Sequence, residues 1–327
     1  MKNYKLSIFV VLCALTSKWA SADIQYQISV AQDGSGDYSS IQQAINHTKA
    51  FPDRRITIHI GKGIYNEKVT VYAWNTRLSL IGAGVQQTLV RFGDHFNKVN
   101  LGRNSTFHTA TMQVDANDFR AEGLTIQNTA GPVGQAVALA VNADRAQFNN
   151  IALLGSQDTL YVAGEGYRQY FSHCYIEGTT DFIFGAATAV FDDCEIHSKA
   201  NSYITAASTP KNQPFGLVFF NSRLTADSET DKVYLGRPWR PYAKTLFINT
   251  QMGQHIVPEG WHNWSKPEAE KTSYYAEYNS TGLGAAPSKR VNWSHQLTDQ
   301  QADRLSLESI LSAENETSWW QEKPAHQ

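Results

Sequence analysis

From about residue 115 onward, short apolar runs rich in β-formers alternate with glycine, asparagine and aspartate, and one pair of positions keeps returning. Phe119, Phe148, Phe171, Phe191, Phe219 and Phe247 are each followed five residues later by Leu124, Leu153, Ile176, Ile196, Leu224 and Met252. The phenylalanines are 29, 23, 20, 28 and 28 residues apart. Irregular coils of this size, with insertions and no amphipathic helices between the strands, predict a β-solenoid. A twisted β-sandwich would give no reason for the same pair to recur. The pattern therefore predicts an all-β, right-handed parallel β-helix with the phenylalanines stacked inside it.

Earlier strands are expected at ITIHI (56–60), around VTV (69–71) and at LSLIG (78–82). Before them, Ser39 or Ser40 can cap a short helix with Ile41, Ala44 and Ile45 on one face, closing the first end of the solenoid. Beyond Gln251 the pattern gives way to loops. Thr298 opens a capped helix to about Leu311, and residues 319–327 read as a tail.

The N-terminus changes the picture of where the protein works. Lys2 and Lys5, an apolar core from Leu6 to Leu15 and the small residues Ala20-Ser21-Ala22 form the pattern of a secretory signal peptide over residues 1–22. The mature chain, 23–327, is expected to be one secreted, extracellular domain. A formal net charge of −2 gives no sign of nucleic acid or an anionic membrane as partner. Asn-x-Ser/Thr sequons stand at Asn46, Asn104, Asn263, Asn279, Asn292 and Asn315.

Cys13 leaves with the signal peptide. Cys174 and Cys194 remain, each three residues after a ladder phenylalanine in consecutive coils. Neighbouring strands lie about 4.8 Å apart, within the roughly 4.4–6.8 Å that a disulfide tolerates between Cα atoms. A bridge is expected; two buried free thiols are the alternative.

Coil spacing also gathers polar residues. Gln135 precedes Gln157 by 22 residues, and Asp158 precedes Asp181 by 23. Arg237 follows Asp181 by 56, two coils, with Trp239 beside it and Trp261 a further 22 residues on. One outer groove is thus expected to hold two glutamines, two carboxylates, an arginine and two tryptophans. Close carboxylates separate in pKa. Paired with Arg237, Asp181 stays anionic and can act as a nucleophile, while Asp158 carries the proton as general acid and then base. The glutamines offer uncharged N–H donors for an oxyanion. No metal or cofactor site is legible.

At these residues the chain resembles the pectin methylesterases. The matching segments are VAQDGSGDYSSIQQAI, GIYNEKV, LTIQNTAG, QAVAL, GSQDTLY, GTTDFIFG, LGRPWRPYA, PEGW and YYAEY, in family order through nearly the whole mature chain. The resemblance implies hydrolysis of galacturonate methyl esters in pectin to pectate and methanol. It implies Asp181 as nucleophile, Asp158 as acid/base and Gln135 with Gln157 as the oxyanion pair. Arg237 and Trp239 match substrate-site residues, Trp261, Phe184 and Tyr161 match cleft aromatics, and Thr111 matches a binding threonine. The implied partner is methyl-esterified homogalacturonan, bound by a monomer. Two departures bear on selectivity: Thr180 stands where plant members have valine, and the loop after Tyr161 is longer by about two residues.

Rival readings remain open at this point. Two carboxylates about 5 Å apart also suit a retaining glycosidase. A pectate lyase needs a calcium-binding carboxylate cluster, which this face lacks, and a catalytically silent pectin-binding protein would not need the full set of reactive residues. No Gly-x-Ser-x-Gly elbow is present, so nothing in the sequence points to a serine hydrolase.

Overall fold

The computed structural model describes residues 24–313, 316 and 318–321. The expected signal peptide and the Asn315 sequon lie outside the described residues. Within them the chain winds into a right-handed parallel β-helix whose coils each add a strand to three sheets of eleven, eight and seven strands. Every named strand pair is parallel, as stacking of successive coils requires.

The core is the inside of this coil, a continuous apolar cluster from Ile28 to Tyr275. In the eleven-stranded sheet, Phe148, Phe171, Phe191, Phe219 and Phe247 are direct register partners, with ring centroids 4.4–4.9 Å apart. Leu153, Ile176, Ile196, Leu224 and Met252 form a second in-register row in the eight-stranded sheet. The first rung departs from expectation. Phe148 pairs with Ala121 rather than Phe119, and Leu153 with Ile126 rather than Leu124. A two-residue slip leaves the same faces pointing inward, so Phe119 stays fully buried and meets Phe148 at a 50° tilt, 5.7 Å away.

Between these two sheets six successive coils turn at one residue in the left-handed region: Asn150, His173, Asp193, Asn221, Asn249 and Asn279, all with φ near +50°. Asn and Asp tolerate that conformation better than most side chains, which accounts for their recurrence. The side chains ladder as well, Asn279 Nδ2 donating to Asn249 Oδ1 at 2.9 Å.

Cys174 and Cys194 stack beside this turn, but both are free thiols, and the expected bridge does not form. In parallel, in-register strands the two Cβ atoms point the same way and keep the strand spacing of about 4.8 Å, longer than the roughly 3.8 Å typical of a disulfide. The thiols instead donate to main-chain carbonyls, Cys174 to Ser172 and Cys194 to Phe171.

At the N-terminal end, Ser40 caps helix Ile41–Asn46, with Ile41, Ala44 and Ile45 buried as expected. Near the C-terminus the expected single helix is two, Asp299–Ala302 and Leu307–Leu311, each with its own capping box, at Thr298 and Ser306, and the second lies against the outer face of the eleven-stranded sheet. The tail reading of 319–327 is corrected at its start. Trp319 and Trp320 are buried against Leu311, Val190 and their neighbours on the outside of the eleven-stranded sheet.

Candidate active site

The outer face of the seven-stranded sheet holds the site. Asp158 lies two residues before strand Leu160–Val162, and Asp181 two before Ile183–Gly185. Leu160 pairs directly with Ile183, so the two carboxylates project from neighbouring coils at the same height. Both aspartates are in the left-handed region, φ +66° and +49°. Their amides donate along the stack, Asp158 N to Thr180 O at 3.1 Å and Asp181 N to Tyr203 O at 2.8 Å. Gly185 closes the stretch at φ +139°, where a Cβ would fall 1.9 Å from the Val162 carbonyl oxygen. Gln135 and Gln157 form a parallel bridge just before the aspartates.

Arg237 grips Asp181 at two points, Nε to Oδ1 at 2.9 Å and Nη2 to Oδ2 at 2.7 Å. Its guanidinium is itself clamped, 3.9 Å from the centre of the Tyr203 ring and 3.7 Å from that of Trp264. Asp158 and Asp181 are only 8 % and 6 % exposed. Burial, and after it the charge of Asp181, pushes the Asp158 carboxyl well above the usual carboxylate range, with Arg237 and the Gln157 amide opposing. Burial also raises Asp181, but there the hydrogen bonds and charge of Arg237, and then Lys266, pull it back. Both carboxyls are thus shifted upward, Asp158 further, so of the two Asp158 is the better proton holder and Asp181 the better anion.

Above the pair opens a cleft of about 560 Å³, lined among others by Gln135, Gln157, Phe184 and Trp239. Phe184 stacks on Tyr161 at 4.8 Å and meets Trp239 edge-on at 5.7 Å, giving one aromatic wall. Among the described residues no group of three or more His, Cys, Asp or Glu side chains could hold a metal ion.

Two expected residues are not in the cleft. Trp261 is 1 % exposed and stacks on Tyr275 inside the solenoid at 4.3 Å. Its register partner is Gly236, which continues the inward-facing row of Ile183 and Thr205. The 22-residue interval to Trp239 is thus not a stacking distance. Trp264, three residues later, takes the place in the cleft. Thr111 is fully buried under the floor, its hydroxyl donating to the Gln127 carbonyl at 3.0 Å.

Other residues of the site were missed, Tyr203 behind Arg237 and several that line the cleft. Tyr203 lies one coil of 22 residues beyond Asp181, so the same interval could have found it. Arg103, Asn104, Thr106 and Phe107 come from a segment that interrupts the coil repeat and carries no periodic signal.

Against known proteins, the family model described as Pectinesterase matches residues 27–314. The chain belongs to the pectinesterase family. It is 37 % identical over 300 residues to "Pectinesterase 31" of Arabidopsis thaliana, covering 89 % of this chain and 94 % of that one. Longer relatives are matched in part: the chain spans 51 % of "Probable pectinesterase/pectinesterase inhibitor 6" of the same plant, at 39 % identity over 86 % of this chain. Among solved structures it is similar to a pectin methylesterase from carrot, with a TM-score of 0.81, 36 % identity and coverage of 87 % and 92 %. It is also similar to a pectin methylesterase in complex with a hexasaccharide, with a TM-score of 0.77, 31 % identity and coverage of 90 % and 98 %. Pectinesterases are carboxylic ester hydrolases, so the chain is an enzyme of that class.

Proposed function

We propose that this chain, secreted after removal of residues 1–22 and acting as a monomer, hydrolyses galacturonate methyl esters in pectin to pectate and methanol. The observation that carries this reading is the asymmetry of the buried pair, with Asp181 forked by Arg237 and Asp158 driven toward its protonated form by burial and by the charge of Asp181.

Asp181 attacks the ester carbonyl carbon, and the carbonyl π electrons move onto oxygen. Gln135 and Gln157 donate side-chain N–H groups to that oxyanion without introducing charge. As the tetrahedral intermediate collapses, the bond to methoxide breaks, and the Asp158 proton leaves with it as methanol. The mixed anhydride between Asp181 and the uronate remains. Asp158, now anionic, takes a proton from water; the hydroxide adds to the uronate carbonyl, and Asp181 departs as carboxylate. Phe184, Tyr161 and Trp239 offer flat apolar faces to the sugar rings. The pair of glutamine amides, donors suited to a carbonyl oxyanion, favours an acyl centre over glycosidic cleavage.

The test is methanol release from esterified pectin together with the size of the residual polymer. Methanol with unchanged chain length is the expected result. Chain shortening without methanol assigns a glycosidase or lyase and overturns the esterase. Secretion is tested by the N-terminal sequence of the exported protein, expected to begin at Asp23.

A further inference from the structure

The turn that covers Arg237 is held in an unfavourable backbone shape by one imidazole. Trp264, whose ring centre lies 3.7 Å from the Arg237 guanidinium, has φ +58°, and Ser265 after it has φ +54°. The left-handed region is an outlier for a residue as bulky as tryptophan, so the surroundings must hold it there. Two side chains do so, each accepting the amide two residues on. His262 Nδ1 accepts the Trp264 N–H at 2.9 Å, and Asn263 Oδ1 accepts the Ser265 N–H at 2.9 Å. His262 is anchored in turn. Its own main-chain N–H donates to the Gly236 carbonyl at 3.1 Å, and its ring centre lies 5.4 Å from those of both Tyr203 and Tyr234. One residue thus ties strand Tyr234–Gly236, which leads into Arg237, to the turn that presents Trp264.

We infer that His262 is a positioning residue for the reaction: as a neutral imidazole it holds the Trp264 turn against Arg237 and so steadies the fork on Asp181. This rests on the proposed esterase reading and deepens it. The hold needs an unprotonated Nδ1, because an imidazolium carries N–H groups at both nitrogens and accepts nothing. The surroundings keep that nitrogen free. Burial, and after it the charge of Arg237, lowers the imidazole below its ordinary 6.5. The neighbouring strands present the phenols of Tyr203 and Tyr234 to the ring, and Glu259 is near enough to Tyr234 to act on that phenol. Of the remaining charges, Lys266 sits 4.5 Å over the Trp264 ring and Glu270 is engaged by the Asn263 amide. The hold is therefore intact at neutral pH and is released as the pH falls through the lowered imidazole value. Protonation removes an acceptor from a strained turn and sets a second cation beside Arg237.

The experiment measures kcat and KM for methanol release from esterified pectin between about pH 8 and pH 4 in wild type, His262→Phe and His262→Asn. Phenylalanine keeps a ring beside Tyr203 and Tyr234 but has no acceptor. Asparagine restores an acceptor for the amide two residues on and does not titrate. At neutral pH, His262→Phe is expected to lower kcat roughly tenfold with KM little changed, and His262→Asn to recover most of that loss. On the acid side, kcat of His262→Asn falls at a lower pH than that of wild type. Thermal unfolding of each variant confirms that the fold is retained. Wild-type kcat in His262→Phe, or a folded His262→Asn no faster than His262→Phe, overturns the positioning role and leaves the esterase standing. Coincident acid limbs in wild type and His262→Asn overturn release by protonation. No methanol from wild type at any pH overturns both the esterase and the role assigned to His262.

Discussion

Arg237 and Asp181, 56 residues apart in sequence, meet in a two-point fork with N–O distances of 2.9 and 2.7 Å. The fork fixes both the charge and the direction of the carboxylate. A lysine at 237 keeps the charge but offers a single flexible point, and loses the stacking between Tyr203 and Trp264. Arg237→Lys is therefore expected to lower kcat by about 10²-fold, since small misplacement of a reacting group costs that much. Methanol-release kinetics check this, with KM changing far less than kcat.

Unequal roles for the two aspartates predict unequal variants. Asp181→Asn removes the attacking charge and should abolish turnover while pectin binding persists. Asp158→Asn leaves the nucleophile in place and should lower kcat by about 10²–10⁴-fold, the range for loss of a general acid–base group. Because burial and the neighbouring charge disfavour an anion at 158, the neutral amide there should not lower the unfolding temperature. Activity of Asp181→Asn equal to wild type would overturn its assignment as nucleophile. Gln157→Ala, tested alongside, is expected to cost about 10²-fold in kcat through loss of one oxyanion donor.

The phenylalanine ladder is a stability device. Phe191 is fully buried between Phe171 and Phe219, with ring centroids at 4.9 and 4.6 Å. Phe191→Ala should cost about 3–5 kcal/mol, because stiff parallel coils on either side limit collapse into the space. Urea unfolding measures it. A loss below about 1 kcal/mol would show that the ladder is ornamental to the fold.

Acid sensitivity has an identifiable source away from the cleft. His255 is 3 % exposed, and burial, with the charge of His197 after it, pushes its imidazole down to about 4 from an ordinary 6.5. Between those values the unfolded chain binds a proton that the folded one refuses. This contribution to stability is complete above pH about 6.5 and is lost as the pH falls toward about 4. Unfolding midpoints followed from pH 7 to 4.5 should fall less steeply in His255→Gln than in wild type.

Parallel stacking explains what could be read beforehand. In a solenoid a one-coil interval in sequence becomes one strand spacing in space, so Asp158, Asp181, Gln135, Gln157 and Arg237 were legible from arithmetic and side-chain chemistry. The same rule misleads where coils vary in length. Trp239 and Trp261 have a coil-like interval, yet Trp261 pairs with Gly236 and turns inward. Phe119 has the ladder spacing but joins two residues out of register. Arg103 and Phe107 were beyond reach, because residues 102–108 leave the repeat and approach the cleft as a 3₁₀ turn. The cysteines show the remaining limit: position in a coil says which residues are neighbours, but not whether their side chains can bond, and Thr111, taken from resemblance alone, lies buried beneath the cleft.

The slipped first rung, the ladder and the paired caps place the reactive groups between residues 135 and 237, with coils on both sides of them. Successive coils lean on one another, while the C-terminal segment braces the middle ones from outside, Trp319 and Trp320 against Tyr170 and Val190, so loss of order enters from the N-terminal end and travels inward. Unwinding the first coil spares the catalytic stack, and hydrogen exchange should be slowest near the aspartates and fastest at the N-terminal cap. Durability of catalysis at the edge of denaturation is thus set by how many coils stand guard on either side, not by the strength of the site itself.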